Sequence, residues 1–189
     1  HELTPAQSRG LVDDLLRFDK PPLLVLTGGD PLKRDDVSDL TAYAVERGLR
    51  VAMTPSATPL VTHDALRRLK QAGLSRLALS LDGVDAATHD RFRNVVGSYD
   101  RTFEILADAR NVGLSLQINT TVTARNVDQL DAIANLIAKE GIVLWSVFFL
   151  VPVGRGLAEQ RISAEQCEQV FERLWHHSQC QPYGIKTTE

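Results

Sequence analysis

Five short apolar runs recur along the chain, and longer segments with the apolar spacing of helices separate them. The runs begin near Leu23, Val51, Leu77, Leu116 and Leu144 and read LLVLT, VAMT, LALSL, LQINTTV and LWSVFFLV. Near-continuous runs of this kind are typical of parallel strands that are covered on both faces. Their alternation with helices predicts an α/β fold with a parallel sheet and right-handed crossovers.

The helical segments carry start and stop signals. A capping box at Thr4 predicts a first helix, with core-facing positions at Leu11, Leu15 and Phe18. The next four helices are each predicted to end at a glycine: Gly48, Gly73, Gly113 and Gly141. A last helix is predicted to begin at Ser163, with an apolar stripe of Cys167, Val170, Phe171, Leu174 and Trp175.

Polar residues recur just past the C-terminal ends of successive strands, which is where the active sites of (β/α) barrels lie. A doubly wound dinucleotide-binding sheet would instead show a glycine-rich phosphate turn, and the sequence contains neither GxGxxG nor GxxxxGK[ST]. We therefore predict a partial parallel (β/α) barrel. Residues 1–160 are assigned to this core, and residues 161–189 to a C-terminal helix and the start of an extension.

Charge and composition exclude several classes of function. The 189 residues include 21 basic and 24 acidic side chains in a mixed order, for a net charge of −3, which argues against a general nucleic-acid surface. The longest unbroken apolar stretch, residues 147–151, is far too short to span a membrane. Two cysteines cannot build a disulfide framework, which indicates a reducing compartment and a cytoplasmic location.

The first strand is followed by Gly28, Gly29, Asp30 and Pro31. Two glycines let a ligand approach the backbone closely, and the backbone together with the Asp30 carboxylate could hold an ammonium group. A tight strand–helix turn would use the same residues, since Gly-Asp-Pro is common turn chemistry. Both interpretations stay open at this point.

The second and third strands end in small hydroxyls and a carboxylate. Thr54 and Ser56 could touch a ligand, although such residues also suit turns. Ser80 and Asp82 share the face of the third strand that points to a barrel interior, where polar groups need partners. Ribose hydroxyls would serve as partners, and an Asp-Gly turn is the alternative.

The charged segment after the third strand contributes Arg93, which could clamp a carboxylate in bidentate fashion. A lone histidine such as His89 is more often solvated than catalytic. Asn119 belongs to a polar stripe on the fourth strand, and this stripe favours ligand contact because polar interior positions are costly when unpaired. The last strand ends at Leu150 and Val151, whose backbone could flank a flat heterocycle, with Arg155 at the rim.

Metal-ligand spacings and nucleophilic triads are not found in the sequence. Cys167 and Cys180 do not form a CxxC pair, and His176 and His177 are adjacent rather than one helical turn apart. No GxSxG elbow marks a serine nucleophile. We assign no metal ligand and no catalytic residue.

Taken together, the strand-end motifs resemble those of radical SAM enzymes. TGGDP at 27–31 looks like the family's GGEP turn with aspartate in place of glutamate. LSLDG at 79–83, HDRFR at 89–93 and GSYD at 97–100 are similar to its fourth strand and the helix that follows. NTTVT at 119–123 is similar to its fifth strand. The similarity is greatest to the branch with a SPASM or twitch extension, which includes molybdenum-cofactor, haem-maturation and peptide-modifying members.

This resemblance implies the chemistry of a longer parent protein. In the family, three thiolates of a CxxxCxxC loop hold a [4Fe–4S] cluster, and reductive cleavage of S-adenosylmethionine (SAM) gives a 5′-deoxyadenosyl radical that modifies a substrate. Neither that loop nor the barrel strand before it is present in this sequence. The chain is therefore interpreted as a fragment whose cluster ligands would lie before His1, and which is inactive by itself.

The resemblance also implies roles for the strand-end residues toward SAM. The amino group would be met by Gly28, Gly29, Asp30 and Pro31, with Thr54 and Ser56 nearby. The ribose or amino-acid part would be met by Ser80 and Asp82, the SAM carboxylate by Arg93, and the ribose by Asn119. The backbone from 150 to 152 would meet the adenine.

Two other classes of function remain as alternatives. A barrel lyase or aldolase needs a Schiff-base lysine or metal carboxylates at strand ends, yet Lys33 and Lys70 lie on helix-side segments. A non-catalytic barrel module would only bind a partner. For the radical SAM reading, the expected partners are a small-molecule or peptide substrate and an electron donor. A dimer through the exposed strand edge at 23–27 is also expected. Binding to nucleic acid or to a membrane is not expected.

Overall fold

The computed structural model describes residues 2–151 and 161–188. Its strands form one six-stranded sheet in the order of the sequence. The strands are β1 (Leu24–Leu26), β2 (Val51–Met53), β3 (Arg76–Ser80), β4 (Leu116–Val122), β5 (Leu144–Phe149) and β6 (Gly184–Thr188). The predicted α/β class and the sequential parallel order are confirmed, and the sheet has one strand more than the five expected.

Seven α-helices alternate with these strands in the described residues. They are α1 (Pro5–Leu15), α2 (Val37–Glu46), α3 (His63–Gln71), α4 (Ala86–Arg93), α5 (Ser98–Asn111), α6 (Leu130–Ile137) and α7 (Ala164–Cys180). Short 3₁₀ turns cover Pro31–Lys33, Val127–Gln129 and Ala138–Glu140. None of the helices in the described ranges is long and apolar enough to cross a membrane.

Parallel pairing fixes where the strand ends lie. Leu24 pairs with Val51 in the β1–β2 ladder, and Gln117 pairs with Leu144 in the β4–β5 ladder. Because parallel strands run in one direction, the residues that follow them all leave at the carboxyl edge. β1 lies at one end of the strand order, so no other strand in the described part of the chain pairs with its outer edge, as expected for residues 23–27.

The sixth strand is not one of the five strands that the sequence predicted. Residues of β6 continue the sheet beside β5, with Gly184 opposite Leu144 and Lys186 opposite Ser146. The segment GIKTT carries a single strongly apolar residue, Ile185, so it lacks the apolar run by which the other strands were recognised. The assignment of residues 161–189 to an extension stays a prediction.

The chain divides into two compact units. The first comprises His1–Ala78 and Ala107–Ser115, and the second comprises Leu79–Leu106 and Leu116–Glu189. Apolar side chains with no exposed surface fill both units: Val51, Met53, Leu66, Leu69 and Leu77 in the first, and Leu81, Ile105, Leu106, Ile118 and Trp145 in the second. This burial provides the main stabilising contribution to each unit.

The buried face of α1 differs from the predicted one. The Thr4 capping box is present, but Leu11 is 47% exposed and Phe18, which lies beyond the helix, is 61% exposed. The buried residues of α1 are Ser8 and Val12, because the helix lies against α2. There the Tyr43 hydroxyl donates to the Asp13 carboxylate at 3.0 Å.

Candidate functional site

The turn after β1 leaves its backbone open to approach. Gly28 has a φ of +89°, in the left-handed region that favours glycine. A Cβ added at Gly28 or at Gly29 would meet no other atom within 4 Å. The space above both residues is therefore free, as close approach of a ligand to this backbone requires.

Asp30 fixes the turn that follows. Its Oδ1 accepts from the Leu32 backbone N–H at 3.1 Å, which caps the 3₁₀ turn Pro31–Lys33. Its Oδ2 accepts from the Thr58 hydroxyl at 2.5 Å. The tight-turn interpretation is thus correct for Asp30, and the remaining lone pairs of its half-buried carboxylate leave the ligand interpretation open.

Residues after β2 lie beside this turn. The Thr54 N–H donates to the Leu26 carbonyl at 2.9 Å, which extends the β1–β2 ladder by one residue. The Ser56 hydroxyl donates to the Gly29 carbonyl at 3.5 Å. The structure therefore brings Thr54 and Ser56 beside the Gly28–Asp30 turn within the first unit, and their role toward a ligand stays a prediction.

An apolar recess of about 310 Å³ adjoins the same turn. Its wall includes Leu11 and Leu15 of α1, Leu24 and Leu26 of β1, and Leu40 of α2. The leucines that α1 was expected to bury in the core line this recess instead.

In the second unit, Asp82 is a fully buried carboxylate at the end of β3. Its Oδ1 accepts from the Thr121 backbone N–H at 2.7 Å, and its Oδ2 lies 2.6 Å from Nη2 of Arg93. Burial raises the pKa of Asp82, and the Arg93 charge and the Thr121 hydrogen bond oppose that rise. The two predicted site residues Asp82 and Arg93 are therefore direct partners.

The backbone of Asp82 is held as firmly as its side chain. Its N–H donates to Nδ1 of His89 at 3.0 Å, and its carbonyl accepts from the Asn126 amide at 3.0 Å. His89 is 1% exposed, so the expectation of a solvated histidine was wrong. Burial, reinforced by the Arg93 charge, lowers the pKa of His89 to about 4, and the imidazole is neutral at pH 7.

The predicted polar stripe of β4 has the expected alternation. Gln117, Asn119 and Thr121 are half-buried and alternate with buried neighbours. The Gln117 amide donates to Asn119 Oδ1 at 2.7 Å and to the Ser146 hydroxyl at 3.2 Å. Ser80, the last residue of β3, is half-buried.

The end of β5 is described only in part. The Leu150 N–H donates to the Val122 carbonyl at 3.3 Å, and Val151 is 57% exposed. Pro152 and Arg155, which were also predicted to contribute, lie outside the described residues.

Hydrogen bonds accepted by Asp90 join α4 to the start of α5 in the second unit. Asp90 on α4 accepts from the Gly97 N–H at 2.6 Å, the Ser98 hydroxyl at 2.9 Å and the Tyr99 N–H at 2.8 Å. The last two residues open α5. The segment that carries Arg93 is therefore fastened to the helix that follows it.

Three residues make contacts that sequence reasoning did not predict: Thr58 binds Asp30, Thr121 binds Asp82, and the Asn126 amide donates to the Asp82 and Thr121 carbonyls. The signal available for Asn126 was its place shortly after the polar fourth strand. The predicted site residues occupy two different units, so their convergence on one cavity stays a prediction.

Metal ligands are not clustered in the described ranges, where no group of three or more His, Cys, Asp or Glu side chains could hold an ion. Cys167 is half-buried on α7, and Cys180, the last residue of that helix, is exposed.

Comparison with known proteins gives curated relatives of similar sequence. The chain is 38% identical over 189 residues to the AdoMet-dependent heme synthase of Nitratidesulfovibrio vulgaris, a match that covers 99% of this chain and 51% of that protein. It is 32% identical to the Fe-coproporphyrin III synthase of Methanosarcina barkeri, covering 92% of this chain and 43% of that protein. The chain thus spans about half the length of these relatives.

Solved structures share the fold. Streptococcus suis SuiB bound to S-adenosylmethionine matches all of this chain and 44% of its own, with a TM-score of 0.82 and 15% sequence identity. This likeness confirms the predicted partial parallel (β/α) barrel. The sequence model of the Radical SAM superfamily matches residues 1–137. With its strand-end motifs, its fold and most of its length in agreement, the chain belongs to the radical SAM superfamily.

Proposed function

We propose that this chain is the SAM-binding core of a longer radical SAM enzyme that modifies an iron tetrapyrrole. The observation that carries this proposal is the 38% identity to an AdoMet-dependent heme synthase over 99% of the chain. When bound, SAM and a reduced [4Fe–4S] cluster supply a 5′-deoxyadenosyl radical by reductive cleavage of SAM. The residues of this chain bind and orient SAM.

The residues of the first unit suit the SAM amino group. The free space above Gly28 and Gly29 lets the ammonium reach the turn backbone, and the Asp30 carboxylate adds a negative charge. Aspartate is one methylene shorter than the family's glutamate, and Thr58 holds it close to the turn. Pro31, Thr54 and Ser56 shape the surroundings of this subsite.

The residues of the second unit suit the rest of SAM. Arg93 forms an ion pair with Asp82 through Nη2 and keeps 35% of its side chain exposed, which leaves other N–H groups for the SAM carboxylate. Asp82 is closed from solvent, so it acts by positioning Arg93 rather than by touching SAM. Ser80 and Asn119 serve the amino-acid and ribose parts, and the backbone at Leu150 and Val151 serves the adenine.

The cluster, the electron supply and the assembly belong to the longer protein. The sequence contains no CxxxCxxC motif, so we place the cysteine ligands of the cluster outside these residues, together with the docking site of an electron donor in the cytoplasm. The open edge of β1 is the proposed site of a dimer contact.

A second candidate substrate is a peptide. SuiB, whose fold matches this chain with a TM-score of 0.81, is described bound to the precursor peptide SuiA. The sequence identity between this chain and SuiB is 16%. The tetrapyrrole proposal has the stronger support, because it rests on 38% sequence identity over 99% of the chain, whereas the likeness to SuiB is one of fold.

Calorimetric titration of the reconstituted full-length protein with SAM tests the cofactor part. We expect Asp30→Ala and Ser80→Ala each to weaken SAM binding about tenfold to a hundredfold, the cost of one hydrogen bond to a charged group. Cys167→Ala on α7 is the control and should bind SAM normally. Unchanged affinity in both site variants, or no 5′-deoxyadenosine from the reduced protein, would contradict the proposal.

A further inference from the structure

A second recess lies wholly within the second unit, where β3 and β4 end. Its volume is about 420 Å³. Its lining includes the buried Asp82 and Asn126, together with Thr88, Arg91, Phe92 and Arg125. It therefore lies directly beside the Asp82–Arg93 pair to which the SAM carboxylate is assigned.

The recess carries an excess of positive charge. Arg91 on α4 and Arg125 after β4 are both exposed, and neither has an ion pair to an acidic side chain in the described part of the chain. The carboxylate in the lining, Asp82, is fully buried and already paired with Arg93. Two guanidinium groups thus line this space, and within residues 2–151 and 161–188 neither has an acidic ion-pair partner.

The other lining groups complete a receptor for an organic anion. The Thr88 hydroxyl accepts from the Gln129 amide at 2.9 Å, so its own proton remains available to a ligand. Phe92 adds a half-buried aromatic ring. Guanidinium groups match carboxylate oxygens in a planar fork, and an aromatic ring suits an apolar body next to them.

We propose that this recess binds a carboxylate arm of the substrate, with Arg91 and Arg125 as its ligands. The inference rests on the proposed tetrapyrrole function, because the acidic side arms of such a macrocycle combine carboxylates with a flat apolar body. Arg91 and Arg125 are then specificity-determining residues, distinct from Arg93, which faces SAM.

The test is a titration of the full-length, oxidised protein with iron coproporphyrin III, in which binding is monitored by the shift of the porphyrin's Soret absorbance. The fully esterified porphyrin, which lacks the carboxylate charges, is the matched probe. Arg91→Gln and Arg125→Gln should each weaken binding of the free acid about threefold to tenfold, as for partly exposed charge-assisted contacts. Arg91→Lys and Arg125→Lys should recover part of that loss.

Arg68→Gln on α3 is the control, since Arg68 is exposed in the other unit. This variant should bind the free-acid porphyrin as tightly as the unmodified full-length protein does. The ester should bind weakly to the unmodified full-length protein. It should bind equally weakly to the double variant that combines Arg91→Gln with Arg125→Gln.

Two failures remain distinguishable. If the double variant binds the free acid as tightly as Arg68→Gln does, the recess inference is overturned while SAM binding and the proposed function stand. If the parent protein binds neither SAM nor the porphyrin, the proposed function itself fails. SAM cleavage with no porphyrin binding would overturn the tetrapyrrole substrate and the recess together.

Discussion

Oδ2 of Asp82 lies 2.6 Å from Nη2 of Arg93, and the Asp82 side chain has no exposed surface. The pair links the loop after β3 to the last residue of α4. Because Oδ1 of the same carboxylate takes the Thr121 N–H, one buried group fixes three segments of the second unit.

Replacing Asp82 should lower the stability of the fold. Asp82→Ala leaves the Thr121 N–H and Arg93 without their acceptor, and we expect a loss of about 2–3 kcal/mol in unfolding free energy. The value stays below that of a fully buried pair because Arg93 is partly exposed. Urea denaturation measures it, with the exposed Glu172→Gln on α7 as control. Equal stability of the two variants would contradict the pairing.

His89 should make the fold sensitive to acid. Its pKa falls from 6.5 to about 4 on folding, so the unfolded chain binds a proton that the folded one does not. The contribution of His89 to the free energy of unfolding is therefore fully present above pH 6.5. It is lost as the pH falls toward 4, and the loss amounts to about 3 kcal/mol. Denaturation at several pH values should show a smaller acid loss in His89→Asn, whose amide oxygen can still accept from Asp82.

The exposed His176 provides the control for that experiment. His176→Asn should keep the full acid dependence of the parent protein. An identical pH profile for the parent and His89→Asn would show that His89 is not held neutral.

Alanine should be costly to stability at one glycine and nearly neutral at another. A Cβ at Gly83 would lie 2.6 Å from Thr88 Cβ and 2.8 Å from the His89 backbone nitrogen, so Gly83→Ala should cost about 2 kcal/mol or more in stability. A Cβ at Gly29 would meet no atom within 4 Å. The unfolding free energy of Gly29→Ala should therefore stay within about 0.5 kcal/mol of that of the unmodified protein. Gly29→Ala should nevertheless weaken SAM binding, because its methyl group occupies the approach to the turn.

The open edge of β1 should govern self-association. Val25 on this edge strand is 43% exposed, and a charge there discourages strand pairing between molecules. We expect Val25→Lys to reduce any dimer seen by sedimentation velocity, with Val143→Lys, a similarly exposed position away from the edge, as control. A dimer that survives Val25→Lys unchanged would place the contact elsewhere.

The sequence was sufficient for the order of strands and most helix ends, because apolar runs and caps are local signals. Thr4, Thr62 and Ser163 each cap a helix through their hydroxyls. The exposure of Phe171 and Trp175 on α7, at 44% and 69%, was not anticipated. Helical spacing alone does not say which side of a wide apolar stripe meets the core.

The site was predicted as a set of residues but not as a network. Strand ends identified Asp82 and Asn119, yet the partners of Asp82 come from Thr121, His89 and Asn126. Those contacts depend on how the loop after β3 packs against β4, which a pattern along one chain does not contain. Arg125 was not identified for the same reason, since only the fold places it in the lining of the same recess as Arg91.

The three hydrogen bonds that Asp90 accepts from the start of α5 have an entropic consequence. Arg91, Phe92 and Arg93 follow Asp90 directly, so their backbone is ordered when the protein folds rather than when a ligand arrives. Ordering a free residue costs about 1–2 kcal/mol, and a segment ordered in advance spares the ligand that cost. In the proposed receptor, the backbone that carries Arg91 and Arg93 would therefore be in place before a ligand binds, and affinity would depend on the contacts rather than on ordering of this segment.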